Sequence, residues 1–565
     1  MRGIRVGLLL VALLAAGCVS VPSSGPVVEG RPAGEPLPPP NVAVLPTGPR
    51  SGDDPVAIVE GFLSSMASYE PGYPTAREYL TPAAAAGWEP ESGIAVYGAG
   101  EGSRRVSEVD GGVQTVLAVV GDVAADGSYA AAPEDSTLVL DFVVEQVDGE
   151  WRIATPPEGL VMTQFDFTRE FAAYASYFFD PEFEVLVPDL TYLPVRGNLP
   201  ALLVEELLDG PTEWLAPGVR SAFGPGVSLT SGTVPLSGTT AQVDLTSQVS
   251  SSTSQQRDRL AAQLAWTLRQ APGVAEVAVL AGGRPLPLPA SDTGVVTADS
   301  FAFLDPAAVP AGSSLFAIAD GAVVRVDGET AARVPGPLGE PGRFRSVGVG
   351  LTATNGAAVT ADGTGVAVAT LAQDAATTET TVGTDLAVPS VDRQQRVWLV
   401  DRTADGSTVL LLDQVDAPEP VPVLDLGGVR VERLSVAPDG VRVALVYSEG
   451  EQRRLALALV LDEATTTLGQ LRDLAVEDVT ALDVAWASAT ALALLASDGG
   501  QPQPYLVELS NGSLSARGQV EEAVSLAAAP GQPLVVGTAP GALLRQDALQ
   551  EWVPVADGTA PTYPG

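Results

Sequence analysis

Hydrophobic residues recur along this chain with changing periods, and the changes divide it into segments. The run 6–16 is continuously apolar, 11 residues without a charge. Between residues 22 and 55 the periodicity vanishes; Pro, Gly and Ser dominate, with Pro38, Pro39 and Pro40 in succession. Ile58, Val59, Phe62, Leu63 and Met66 then follow at helical spacing. Ahead of them Asp53-Asp54-Pro55 offers a capping acid and a proline suited to a first helical turn. Alternation with period two takes over at 114–120, 138–144 and 151–153, with Asp148-Gly149 as the turn before the last. A helix followed by antiparallel strands predicts a small α+β domain over 54–182, cone-like in form. Its end, 165–179, is dense in Phe and Tyr; packing at a domain junction is expected, with an aromatic ligand cage as the alternative.

A second α/β segment covers 183–290. Residues 184–188 read as a strand, and 200–208 as a helix opened by Pro200 and stopped by Asp209-Gly210-Pro211. Ala241, Val243 and Leu245 alternate, and a strand is expected to continue to Gln248. Residues 254–270 form the clearest helix, with Leu260, Leu264 and Leu268 four apart and Trp266 beside them. Residues 277–280 return as a strand.

From 300 to 565 short apolar runs repeat. LSVAPDG at 434–440 before a strand at 441–446 is echoed by LDVAW at 482–486 before 491–495, and 455–461 by 505–509, a shift of 48 to 50 residues. Fainter copies lie near Ala358, Val391 and Val524, and a weak unit near Leu315. Several short strands per unit at this spacing predict an all-β propeller of about six blades. Asn511-Gly512-Ser513 matches a glycosylation triplet but is expected to be a type I′ hairpin turn.

Composition removes many chemistries. The chain has 565 residues, 46% of them apolar, with 69 acids against 30 bases. Every base is Arg; there is no Lys and no His, and there is one Cys. Histidine-based acid–base catalysis, a Ser-His-Asp triad, a lysine Schiff base, a phosphate-loop lysine, an internal disulfide and a thiolate zinc site are all excluded. A net charge of −39 disfavours nucleic acid. No catalytic residue, cofactor or metal site is expected, and the glycine-rich 98–102 reads as a loop because Glu101 would oppose a phosphate. Carboxylates are the only abundant acid–base groups, so a carboxylate-based glycoside hydrolase is the enzymatic alternative.

The lone cysteine has a defined setting. Arg2 and Arg5 precede the apolar run, which is too short to span a bilayer, and Ala15-Ala16-Gly17 leads into Cys18. This resembles a bacterial lipobox, with Ala15 where Leu is usual and Leu14 one place early. The resemblance implies a signal peptide at 1–17, N-acyl and S-diacylglycerol modification of Cys18, and a Pro-rich tether over 18–53. Two or more acyl chains, at about 0.8 kcal/mol per buried CH₂, give stable anchoring. The expected location is the outer face of the cytoplasmic membrane.

LLDGPTEWLAPGVRSAF at 207–223, with QLAWTL at 263–268 and PGV at 272–274, resembles the sporulation-and-germination GerMN module. The order of lipobox, α+β region, GerMN segment and propeller is similar to the actinobacterial LpqB lipoprotein family. That resemblance implies a non-catalytic envelope protein, with no assigned chemistry for Trp214 or Arg220. It also implies a partner, the extracytoplasmic domain of the Mtr sensor histidine kinase, in signalling that bears on cell division and envelope homeostasis. A wall-glycan-binding scaffold is a further alternative, disfavoured because only 5% of residues are aromatic.

Overall fold

A computed structural model describes residues 46–565 apart from 101, 308–312, 405, 414–416, 425–428, 451, 463 and 477–478. The signal segment, Cys18 and most of the tether lie outside the described residues. No described helix is long and apolar enough to cross a membrane.

The first domain opens with α1 (Pro55–Ser65), where the Asp54 carboxylate accepts the Ala57 N–H at 2.8 Å. Two short helices follow, α2 (Pro74–Arg77) and α3 (Pro82–Gly87). The sheet comprises β1 (Ile94–Tyr97), β2 (Arg104–Val109), β3 (Gly112–Val123), β4 (Tyr129–Ala131), β5 (Thr137–Val147), β6 (Glu150–Thr155) and β7 (Leu160–Thr163), ordered β6-β5-β3-β1-β7. The long β3 is its spine, since β2 and β4 also pair with it. Asp148 (φ 54°) and Gly149 (φ 86°) join β5 to β6 with the positive φ pair that a type I′ turn requires. The apolar stripe of α1 is buried against Val113, Leu117, Phe142 and Ile153 of the sheet. The expected tether ends earlier than Asp53. The Thr47 carbonyl accepts the Tyr79 hydroxyl at 2.6 Å, and Glu150 accepts from Ser51 Oγ and the Gly52 N–H. Residues 47–52 are thus fastened to the domain they precede.

Helix α4 (Gln164–Glu170) leads into a long hairpin of β8 (Phe171–Phe179) and β9 (Leu186–Pro194), paired along its whole length. The boundary expected at 182/183 therefore falls inside a hairpin turn, and the aromatic strand belongs to the second domain's framework. Its ends serve two cores. Phe171 packs with the first-domain core, whereas Tyr177, Phe178 and Phe179 pack with the second.

The second domain continues with α5 (Leu199–Asp209), ended by Gly210 at φ 104°. It then has β10 (Leu236–Ser237), β11 (Thr240–Leu245), α6 (Ser254–Leu268), β12 (Glu276–Ala281), β13 (Arg284–Pro285) and β14 (Val295–Val296). Strands β11 and β12 are parallel and joined through α6, a βαβ crossover. Thr253 and Gln256 close a reciprocal capping box at the start of α6. Leu260, Leu264, Trp266 and Leu268 are buried on it. Strand β11 stops at Leu245; residues Ser247–Ser251 form a 3₁₀ turn rather than the expected strand. Phe301 and Leu304 also pack into this core, so the segment following 300 belongs here and not to the propeller.

Six four-stranded antiparallel sheets follow among the described residues. Five are continuous, over 344–381, 390–421, 430–474, 480–516 and 523–557. The remaining one combines Leu315–Ala319, Ala322–Asp327 and Thr330–Arg333 with the last strand, Thr559–Thr562. The chain's end therefore supplies the innermost strand of its first blade and closes the ring, which removes the free edges of an open sheet. The PDG turn at 438–440 has a physical role. Asp439 is buried, accepts the Val441 and Arg442 N–H groups, and pairs with Arg442 at 2.7 Å. Asp392 does the same for Arg396 one blade earlier and also accepts Trp398 Nε1. The turn at 511–513 differs from expectation. Gly512 has φ 72° but Asn511 is not left-handed, and Gly512 N–H bonds to Glu508 C=O, a wider loop than a type I′ turn.

Candidate functional site at a three-domain junction

The segment 210–220 that carries the GerMN resemblance leaves α5 and meets the propeller. Gly218 sits where an added Cβ would lie 3.0 Å from Val441 Cγ1, so the backbone can approach the blade only without a side chain there. Val441 and Leu459 of the fourth blade join the second domain's core. Trp214 lies partly buried across this contact and donates its indole N–H to the Gln470 carbonyl. Arg472, on the same outer strand, stacks over the Trp214 ring at 5.7 Å and donates to the Tyr129 carbonyl of β4 at 3.0 Å. One arginine of the propeller thereby touches both other domains.

Carboxylates face it. Asp189 on β9 is buried and accepts from the Thr212 N–H at 2.6 Å and hydroxyl at 3.0 Å. Asp126, in the β3–β4 turn, accepts the Glu213 N–H at 3.1 Å. Burial pushes Asp189 up to about 6, with Arg472 and the Thr212 bonds opposing. Burial, then the nearby Asp189, Asp209 and Asp126, pushes Glu206 of α5 up to about 7. Asp126 is held below its ordinary value; burial works against this, but hydrogen bonds from Ser128 and the Glu213 N–H outweigh it. Burial also lowers Arg472, although Asp189 and Asp126 partly offset that.

Beside this joint a cleft of about 770 Å³ opens between β4 and the fourth and fifth blades. Its walls carry Tyr129, Glu134, Arg453, Arg454, Arg472 and Asp498. Asp189 and Glu206, the carboxylates raised furthest, do not line it. Among the described residues no group of His, Cys, Asp or Glu is arranged to hold a metal ion.

The residues singled out in sequence separate here. Trp214 is a contact between domains. Arg220 is exposed, and its backbone, not its guanidinium, pairs with Phe179 (N–H to O 2.7 Å). Cys18 lies outside the described residues. Arg472 and Asp189 were invisible in sequence, since nothing local distinguishes them from the other Arg and Asp of β strands.

A ring of six blades, a βαβ domain and a helix-and-sheet domain that meet at this joint define a multidomain β-propeller protein. Matching family models cover the chain in order: the N-terminal domain of lipoprotein LpqB at 48–168, the sporulation and spore germination domain at 175–287, and the LpqB β-propeller domain at 321–564. Lipoprotein LpqB of Thermobifida fusca is 31% identical, with 98% of this chain and 97% of the relative covered. That of Streptomyces coelicolor is 30% identical over 98% and 96%. The chain belongs to the lipoprotein LpqB family. TolB from Acinetobacter baumannii is similar at 15% identity and a TM-score of 0.36, over 54% of this chain and 85% of that one; the propeller assignment rests on the strand order above.

Proposed function

We propose that this protein is a non-catalytic lipoprotein anchored through acylated Cys18 at the outer face of the cytoplasmic membrane. There it acts as an accessory of the extracytoplasmic domain of a sensor histidine kinase of the Mtr type. The observation that carries the reading is full-length membership of the LpqB family in a chain whose sole cysteine follows Ala15-Ala16-Gly17. Two features support the non-catalytic part. The chain lacks His and Lys, and the carboxylates with the most raised pKa are packed into a domain joint away from the large cleft. The glycan alternative is disfavoured because, among the described residues, no Trp or Tyr is exposed and the exposed aromatics are the single side chains Phe165 and Phe303. Co-purification of the mature protein with the kinase ectodomain, lost on removal of residues 315–565, is the expected result; no co-purification from the native membrane overturns the partner. Cys18→Ala is expected to abolish metabolic lipid labelling, and continued labelling overturns the anchor.

A further inference from the structure

The loop that seats the propeller is held at its base by acids. Thr212 gives its N–H and its hydroxyl to Asp189, Glu213 gives its N–H to Asp126, and Trp214 reaches Gln470 of the fourth blade. Asp189 is 5% exposed, and Glu206 of α5 is half-buried near it. The charged groups facing Asp189 are Asp126 of the first domain and Arg472 of the propeller. Those facing Glu206 are Asp189, Asp209 and Asp126. The other polar side chains here are hydroxyls: Thr212 on Asp189, Thr191 by Glu206, and Ser176, the buried register partner of Asp189. Arg472 is the cation set against these acids, and it spends its hydrogen bond on the Tyr129 carbonyl of β4.

Carboxylates taken out of water and placed beside others of the same sign cannot all ionise. With the propeller seated, burial above all pushes Asp189 up to about 6 and Glu206 up to about 7. Separation of the propeller returns water to this joint and lets both fall toward the ordinary carboxylate range, about 4. The seated form therefore binds these protons more tightly than the separated form, and acid favours seating. That advantage is complete below about pH 4 and is lost as pH rises through 6 to 7. A neighbouring contact lacks this dependence. Gly218 packs on Val441 and Leu459, and apolar burial is indifferent to pH.

We propose that the joint is a proton-operated latch: Asp189 and Glu206 are protonated while the propeller is seated, and their ionisation lets the propeller swing away from β4 about the Gly218–Val441 contact. The Arg472 bond to Tyr129 is the bond that parts. The cleft of about 770 Å³ between β4 and the fourth and fifth blades widens as it does. A packed pivot beside a polar contact is the arrangement of a hinge between domains. The latch stands or falls separately from the kinase reading.

The test uses residues 18–565 with Cys18→Ser, which leaves no native thiol. Spin labels on Glu134→Cys and Gln452→Cys, exposed positions lining the cleft from the first domain and from the propeller, report its width as a distance distribution. A short distance is expected at pH 5, with a longer population growing up to pH 8. The expected midpoint lies between pH 6 and 7, with a change of about tenfold or more in the ratio of long to short. Near-ultraviolet circular dichroism is expected to stay constant, which separates opening from unfolding. Glu206→Gln cannot ionise and is expected to reduce the longer population at pH 8; adding Asp189→Asn is expected to abolish it. Identical distances at pH 5 and 8, a longer population at the acid end, or an unchanged pH response in Glu206→Gln would overturn the latch. So would loss of the dichroism signal in step with the distance change.

Discussion

The molecule contains two joints of opposite chemistry. The first joins the N-terminal and GerMN-like domains through the β8–β9 hairpin and is largely aromatic. Phe167 stacks on Phe171 at 5.7 Å and lies 4.9 Å from Tyr192, and Tyr129 lies 5.6 Å from Tyr192. The second joins both domains to the propeller through Trp214 on the Gln470 carbonyl and Arg472 on the Tyr129 carbonyl, with Val441 and Leu459 packed beneath; beside it Asp126 and Asp189 accept the Glu213 and Thr212 N–H groups. Apolar burial is indifferent to pH and direction, whereas buried charges depend on both. The aromatic joint therefore fixes the first two domains as one body, and the charged joint is where solution conditions act.

The largest effect should come from breaking the aromatic joint. Phe171→Ala is expected to cost about 3–5 kcal/mol, the range for truncating a buried Phe, and to separate the unfolding of the first two domains in a urea titration. A single unshifted transition would show that the hairpin does not couple them.

The charged joint should respond to pH instead. Asp189 and Glu206 have folded-state values of about 6 and about 7, above their ordinary ones, so the folded chain binds these protons more tightly than the unfolded chain. Their stabilising contribution is complete below about pH 4, falls as pH rises through 6 to 7, and is gone above about 8. Each group accounts for about 2–3 kcal/mol. Urea midpoints should thus be lower at pH 8 than at pH 5. Asp189→Asn should flatten that difference; an unaltered pH dependence in the variant would place its source elsewhere in the acidic surface.

Trp214→Ala should loosen the same joint without altering its charges. The residue is half-buried, so about 2 kcal/mol is expected, read as faster proteolysis between the GerMN-like domain and the propeller, with Phe171 contacts untouched. The smallest effect should be Arg220→Ala, within about 0.5 kcal/mol, because its backbone makes the pairing with Phe179 and the guanidinium reaches only the Val219 carbonyl. A larger loss would reveal a role for that charge.

Much of this architecture is legible locally. Asp54 and Pro55 announce α1, the four-residue leucine spacing announces α6, and LSVAPDG at 434–440 with its echo LDVAW at 482–486 announces the blade repeat. Turn chemistry was less dependable. Asp148-Gly149 adopts the expected left-handed pair, but Asn511-Gly512 does not, because the Glu508 carbonyl captures the Gly512 N–H and widens the loop. The aromatics of 171–179 were legible as junction packing but not as a strand of the second domain. Their partner strand lies beyond a turn whose Phe183 has φ 62°.

The local elements, the blade repeat, the absence of imidazole and lysine chemistry and the setting of Cys18 are all written in the chain's order of residues. These follow from neighbours in the chain, where spacing and residue type act directly. Which strand closes the ring emerges from folding, since Thr559–Thr562 pairs with Leu315–Ala319 from the opposite end of the propeller. Folding alone brought Arg472 to Tyr129 and Trp214, and buried Asp189 beside them. Such contacts depend on how completed domains meet, and an ionisable side chain acquires its charge state and its partners from that environment rather than from its place in the chain.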